Sequence, residues 1–449
     1  MPEKSSSPAK LLASLQEHGP QSPGALMSLL GLSQPTLYRA AKALPDKVVT
    51  LGARRNRKVA ALRLIRGLSA RTPIFTVSPQ GEVESVGDIL ALEPTSFVLL
   101  AEGASSTPRL YSGLPFFVSD VRPRGFLGSA FARSHPDLNL PSLPEDWTND
   151  QILSAMARRG EDLPGNVLVG AESFERFQRL LQETPELIDA QNPTPAYMSL
   201  AKDAESGNFG GSCLGGSQPK FGAVVNMGAG GARRVLVKFS PLGDSFAAKR
   251  WRDLLVCESL ALETLRSHGF EAPENRIFQS DTRTFLELTR FDRVGLHGRR
   301  RVLSLLALDA GRVARNESWP VFATMLARDG TITPEDLRKI LRLECFGRLI
   351  ANGDRSPHNI SFLWRRGDPT ASLAPIYDML PMQFAPVAGG GDPGYTFSAP
   401  TYGPNLIRAW KDALPIARHF WNTVQVDGRI SPEFRAIAEK CGAIVEGLS

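Results

Sequence analysis

Apolar positions in the first 62 residues recur with a helical period three times and then alternate as in strands. In residues 9–18, Leu11, Leu12 and Leu15 share one side of an amphipathic helix that Gly19-Pro20 stops. Ser22-Pro23 opens a second short helix ending at Leu30, Gly31-Leu32-Ser33 turns the chain, and Ser33 caps a third helix over residues 34–44. On that helix Leu37 and Ala40 are expected to face inward, and Gln34, Pro35, Thr36, Tyr38 and Arg39 outward. Two strand-like runs, 48–51 and 59–62, flank Gly52-Ala53-Arg54-Arg55-Asn56-Arg57-Lys58, a hairpin with a basic tip. Residues 1–66 are thus expected to form a winged helix-turn-helix.

The pattern is less legible over residues 71–200. Strand-like runs at 73–77 and 96–100 alternate with turns, helical stretches follow at 150–158 and 172–184, and Pro141-Ser142-Leu143-Pro144 resembles a linker. This reads as an α+β subdomain without chemistry. From Ser206 the texture changes: a glycine-rich loop over 207–220 leads to a strand at 221–225, a hairpin turn and a second strand at 234–239. A helix over 245–268 and two further strand-like runs, 276–279 and 284–291, come next, and beyond residue 300 the pattern is mostly helical. A small β-lobe with one long helix over 201–295, then an α-lobe over 296–449, predicts an α+β, protein-kinase-like two-lobed fold.

Composition adds limits. A 449-residue chain, 42% apolar and 22% charged, has ample core material for about three globular domains. No run of about 18 apolar residues predicts a membrane span, and the first eight residues lack the apolar core of a signal peptide. Four scattered cysteines (213, 257, 345, 441) fit a reducing, cytoplasmic setting. Residues 1–66 hold eleven Lys and Arg against three Asp and Glu, a net +8 in a chain whose total is +6. The basic excess therefore sits in the first segment and points to a polyanion partner for that segment alone; helix spacing, turn and wing together make that partner DNA, and no membrane partner is expected. A protein-interaction domain with a solvated charge run is the plainer alternative.

The candidate chemistry lies later. Asp354, Asn359 five residues on, and Asp378 behind a new apolar run match the layout of kinase-type phosphoryl transfer. There the first Asp orients the attacking hydroxyl, while the Asn and second Asp hold Mg²⁺ on the ATP phosphates. Alone, residues 352–359 are also an ordinary polar turn. Lys238 ends a strand shortly after the glycine-rich loop and can contact phosphates if a carboxylate anchors it. Glu258 is the candidate anchor, because Leu254, Glu258, Leu262 and Leu265 share one helical stripe and a carboxylate there needs a partner; a glutamate at the stripe's exposed edge is the alternative. Asp253 and Glu263 lie off the stripe and read as solvated. ATP-binding candidates are Gly215, Gly216, Ser217, Gln218, Lys220, Lys238, Thr289, Phe291, His358 and Asn359, with Thr289 and Phe291 where a kinase joins its lobes. His358 is expected mainly to support its loop by hydrogen bonds.

Together Gly216-Ser217-Gln218-Pro219-Lys220, Val237-Lys238-Phe239, Thr289-Arg290-Phe291-Asp292-Arg293, Asn352-Gly353-Asp354 through Asn359, and Pro375-Ile376-Tyr377-Asp378 resemble the HipA family of bacterial serine/threonine kinases, the toxins of toxin–antitoxin systems. The resemblance spans roughly residues 70–430, and the fused N-terminal segment resembles the family's YjjJ-like branch. It implies ATP and Mg²⁺ as cofactors, Asp354 as catalytic base, Asn359 and Asp378 as metal ligands, Lys238 as phosphate ligand and a protein as substrate. In other members a separate antitoxin binds DNA, so this chain is expected to carry both halves; a further antitoxin or a second copy stay open as partners. Family members often carry a regulatory serine where this chain has Cys213; Ser212, favoured, and Ser217 are the candidate replacements. Two other functions compete: a transcriptional regulator with a degenerate kinase domain, and a metal-dependent nuclease fed by the DNA-binding domain.

Overall fold

Three helices, Ser7–His18, Pro23–Leu30 and Gln34–Lys42, lead the chain and pack around Leu11, Leu15, Leu26 and Leu37. Ser22 and Ser33 side chains accept from the N–H groups of Ala25 and Thr36, so each short helix starts with its first turn satisfied. Gly31 closes the second helix at φ +64°, a conformation that costs other residues more. The strands Val48–Leu51 and Lys58–Ala61 then pair antiparallel. The computed structural model describes residues 6–53, 56–102, 108–206, 218–309, 318–364 and 367–449.

This hairpin does not end its own domain. Leu51 and Ala60 are buried together with Leu90, Leu92 and Val98 of the next sheet, Leu62 bridges to Leu92, and Arg63 N donates to Ala91 O at 2.9 Å. Arg63 also pairs with Asp150 and lies over the Phe97 ring. The sheet it joins has five antiparallel strands in the spatial order Arg109–Tyr111, Ser96–Ala101, Val83–Leu92, Thr72–Val77, Val167–Val169. Helices Asn149–Arg159 and Ala171–Leu180 pack on it.

A second five-stranded sheet runs Asn275–Gln279, Thr284–Thr289, Ala232–Phe239, Lys220–Asn226, Ile188–Asp189, the last strand parallel to its neighbour. The sequence reading starts this lobe at 201, yet Ile188–Asp189 and the helix Thr194–Ser206 already pack into it; Tyr197, Ala201 and Ala204 share a core with Phe221, Val237 and Phe285. A two-residue strand carries too short an alternation to be seen in sequence. The opposite face of the sheet packs against the 22-residue helix Phe246–Ser267.

Helices Trp319–Arg328, Pro334–Leu349, Ile407–Val426 and Pro432–Glu446 build the C-terminal part around Trp319, Phe346, Trp410, Phe420 and Trp421. Within it a small sheet, Val302–Ser304, Ser361–Leu363 and Ser372–Leu373, interrupts the mostly helical pattern. The whole is a mixed α+β molecule, and among the described residues no helix is long and apolar enough to cross a membrane. Asp253, expected in solvent, is buried: it accepts the N–H and hydroxyl of Ser431, both at 2.7 Å, and so fastens the long helix to the last one.

Candidate active site

Alternation along the strand Ala232–Phe239 sends Arg234, Leu236 and Lys238 to one face, and the antiparallel register puts Lys220 directly beside Lys238. The long helix packs on that face and brings up Glu258. Lys238, 2% exposed, donates to both oxygens of Glu258 (0% exposed) at 2.6 and 2.8 Å and to Oδ1 of Asp378. The helical stripe was therefore a sound guide, and Glu258 is buried rather than at an exposed edge. Burial opposes the charge on Lys238, but Asp378 and Glu258 outweigh it and hold the ammonium above the ordinary lysine range. Burial lifts Glu258 despite Lys238, whereas in Asp378 the two lysines overcome burial and keep the carboxyl below its usual value.

Lys220, paired with Lys238 across the strands, is buried as well. Burial and the neighbouring Lys238 push its ammonium down to about 8, against the pull of Asp378, Glu258 and Asp354.

The Asp354–Asn359 loop grows out of the helix Pro334–Leu349, which Thr333 caps by accepting Asp336 N at 3.0 Å. Ala351 turns at φ +58°, and buried Asn352 accepts Asp354 N at 3.0 Å while its amide donates to Asp378 O at 3.4 Å. Asn359 Nδ2 donates to Asp354 O at 2.9 Å, which closes the loop and leaves the amide oxygen as its ligand atom. Arg355 lies against the helix at Gly347, where a Cβ would meet its Cδ at 2.8 Å, and bonds Glu344 and Asn352 O. Asp354 keeps an exposed side chain. Asp378 holds φ +53°, a strained value for a residue with a side chain, and its N–H donates to Glu258 at 3.2 Å.

Among the described residues no cluster of three His, Cys, Asp or Glu could by itself hold a metal ion. One carboxylate and one amide oxygen, Asp378 and Asn359, are nevertheless a hard donor set that suits Mg²⁺ when phosphate oxygens and water fill the remaining positions.

The other expected residues fall unevenly. Lys220 opens the strand Lys220–Asn226 at the site, and Gln218 lies two residues before it. Phe291 stacks on Tyr377, the neighbour of Asp378, with ring centroids 5.8 Å apart. Thr289 does not join them: it pairs with Val235, so its side chain points to the face opposite Lys238, and its N–H donates to Glu274 O at 2.9 Å. His358 supports the loop, through its ring against Arg124 and its carbonyl to Tyr377. Ser212, Cys213, Gly215, Gly216, Ser217, Arg54 and Arg55 lie outside the described residues. On the third helix Gln34, Tyr38 and Arg39 are exposed and Thr36 is partly so; the Arg57 guanidinium sits 5.7 Å from the Tyr38 ring, and Lys58 is exposed.

Sequence reasoning missed Asp120 and Arg124, both in the segment read as free of chemistry. Asp120 accepts the N–H and hydroxyl of Ser304, and Arg124 meets His358. No periodicity signals such contacts, which join residues 184 and 234 positions apart.

With this geometry in view, the comparisons with known proteins are consistent along the chain. Residues 68–178 match the family described as YjjJ-like toxin, middle domain, and residues 212–446 match the HipA-like C-terminal domain. The chain belongs to the HipA family of toxins, in its YjjJ-like branch. It is similar to Toxin YjjJ of Escherichia coli (strain K12), 34% identical over 432 residues that cover 96% of each chain. Among solved structures, the Shewanella oneidensis MR-1 toxin–antitoxin complex of HipA, HipB and operator DNA aligns at TM-score 0.48 and 13% identity, over 81% of this chain and 95% of that one. The Helicobacter pylori proinflammatory kinase CtkA aligns at TM-score 0.36 and 14% identity, over 52% of this chain and 91% of that one.

Proposed function

We propose that this protein is an ATP- and Mg²⁺-dependent serine/threonine protein kinase acting as a toxin, with a kinase-like two-lobed body and a fused winged helix-turn-helix that binds DNA. One observation carries the enzymatic reading: Lys238 is held between Glu258 of the long helix and Asp378 behind the Asp354–Asn359 loop. A buried lysine anchored by a helix carboxylate, opposite a carboxylate able to take a metal, is the arrangement phosphoryl transfer uses. In this reading Lys238 and Lys220 contact the ATP phosphates, and Asn359 and Asp378 hold Mg²⁺. The metal, when bound, offsets phosphate charge and aligns the γ-phosphoryl group. Asp354 accepts the proton of a serine or threonine hydroxyl as that oxygen bonds to the γ-phosphorus; the bond to the bridging oxygen breaks and ADP leaves. A phosphoproteome comparison of cells expressing wild type or Asp354→Asn tests it directly. New phosphoserine or phosphothreonine sites are expected with the wild type alone, and identical profiles would overturn the reading.

Lys220 gives this activity a pH signature. An ammonium with a value near 8 is charged below that pH and neutral above it, and a phosphate ligand favours the charged form. ATP affinity is therefore expected to weaken as pH rises through about 8, seen as a rising Kd in calorimetry. Lys220→Gln should bind ATP more weakly at pH 7 and lose most of this dependence; an unchanged pH profile in that variant would remove Lys220 from the phosphate site.

The DNA-binding half rests on the exposed face of the third helix, Gln34, Thr36, Tyr38 and Arg39, beside the basic hairpin with Arg57 and Lys58. Replacing Arg54, Arg55, Arg57 and Lys58 together by Ala is expected to weaken binding to every sequence and to flatten the log–log salt slope by roughly 0.9 per lost phosphate contact. Changing Gln34, Thr36 or Arg39 should instead relax sequence preference. Retention on DNA with an unchanged salt slope after the fourfold replacement would argue against the hairpin as the phosphate grip.

A further inference from the structure

One side chain of the middle domain, Arg124, reaches the loop that carries Asn359, and a second, Asp120, reaches Ser304, which pairs with Ser361 at the end of that loop. Arg124 precedes the helix Gly125–Ser134 in extended conformation. Its Nη1 lies 2.7 Å from Nδ1 and 3.2 Å from Nε2 of His358, while Nη2 donates to Ser119 O at 2.8 Å. Arginine can only donate, so the imidazole nitrogen facing it is the acceptor. His358 directly precedes Asn359, and its carbonyl accepts Tyr377 Oη at 2.9 Å. Tyr377 directly precedes Asp378 and shares a 2.6 Å hydrogen bond with Ser361 Oγ. His358 is thus held from two sides, its ring by Arg124 and its carbonyl by Tyr377, and His358 and Tyr377 are the chain neighbours of Asn359 and Asp378.

Asp120 makes the second strut. It accepts Ser304 N at 2.8 Å and Ser304 Oγ at 2.5 Å. The two residues after Ser304 donate onward, Leu305 N to Ile360 O at 2.9 Å and Leu306 N to Pro357 O at 3.3 Å. The loop 356–361 is therefore braced directly by Arg124 on His358 and indirectly by Asp120, through Ser304 and the backbone of Leu305 and Leu306. Phe116 and Phe117, in the same segment, pack against the C-terminal core and fix the segment's own position.

We propose that Arg124 is a positioning residue that acts through the His358 ring to set Asn359 against Asp378, so that the middle domain completes the metal-holding corner of the site. The proposal rests on the kinase reading for its catalytic consequence, but not for its structural claim. Partners that orient a metal ligand are worth about 10- to 100-fold in metal affinity or activity. Lobe packing alone would not single out the Mg²⁺ dependence.

The test uses the full chain as wild type, Arg124→Ala, Arg124→Lys, His358→Ala and the double variant Arg124→Ala/His358→Ala. Two quantities are read: the Mg²⁺ concentration for half-maximal ATP turnover with kcat and the KM for ATP, and hydrogen exchange of the ligand-free protein in peptides over 352–363 and 334–349. Arg124→Ala is expected to raise the Mg²⁺ requirement by about tenfold or more, with the KM for ATP at saturating Mg²⁺ within roughly twofold. Exchange should rise over 352–363 and not over 334–349. Arg124→Lys, which keeps one donor, should recover part of both effects, and Arg124→Ala should add nothing once His358 is Ala. The full Arg124→Ala effect persisting in the His358→Ala background would overturn the proposal, as would exchange that rises equally in both peptides or in neither. A wild type without ATP turnover would instead overturn the kinase reading, and the exchange measurements would still decide whether Arg124 holds the loop.

Discussion

Asp354→Asn is expected to lower phosphoryl transfer from ATP by on the order of 10³-fold or more while leaving the melting temperature where it was. The loop's own bonds run through the backbone N–H and carbonyl of Asp354, to Asn352 and from Asn359, so an isosteric amide disturbs nothing that shapes the loop. Its exposed side chain loses its charge and, with it, the ability to take a proton. Asp378→Asn should be equally inactive for another reason, the loss of the charged metal ligand. The two variants part company in ligand binding. Asp378 competes with phosphate for Lys238 in the ligand-free protein, so Asp378→Asn is expected to bind ATP without Mg²⁺ at least as tightly as wild type, whereas Asp354→Asn should leave that affinity unchanged. Radiolabelled phosphate transfer and calorimetry together check this. Turnover like wild type in either variant would show that the catalytic roles are wrongly assigned.

The second large effect concerns folding. Glu258→Ala removes two of the three carboxylate oxygens to which a lysine that is 2% exposed donates, and also the acceptor of Asp378 N. Breaking a buried ion pair from one side typically costs about 3–5 kcal/mol, because the remaining charge is left without compensation. Asp378 still faces Lys238, which places the expected loss near the lower end, about 3 kcal/mol. Denaturant midpoints give the number. Glu258→Gln, of the same shape and still an acceptor, should lose less stability but most of the activity, since Lys238 is no longer held by charge. A Glu258→Ala protein as stable as wild type would mean that the pair is solvated and that the long helix does not depend on it.

Much of this arrangement could be read from the chain because its signals are local. Gly19-Pro20, Ser22-Pro23 and Ser33 punctuate the first three helices, and the structure has them at Ser7–His18, Pro23–Leu30 and Gln34–Lys42. The stripe Leu254, Glu258, Leu262, Leu265 places an acid on the buried side of a helix whatever the helix packs against, and all four are buried. Asp354 and Asn359 meet within one loop. What stayed hidden depends on contacts between distant segments. The strand Val83–Leu92 loses its alternation because its second half is buried on both faces. Asp253 looks solvated until Ser431, 178 residues later, folds against it. Asp120 and Arg124 carry no sequence mark of Ser304 and His358, the residues they bond. Thr289 sits next to Arg290 and Phe291 in sequence, but strand alternation turns it away from the site.

The seam between the N-terminal hairpin and the middle sheet bears on how such a chain can be assembled from parts. Leu51 and Ala60 complete their burial only against Leu90, Leu92 and Val98, and Leu62 continues into the strand across the boundary. The first 62 residues are therefore no detachable tag on a string. Cutting there would bare an apolar strip on both pieces, a surface that invites association. A recombination event that grafted this head onto another body would need to bring the matching sheet face with it. Heredity and proteolysis alike would then meet head and middle domain as one inseparable cargo.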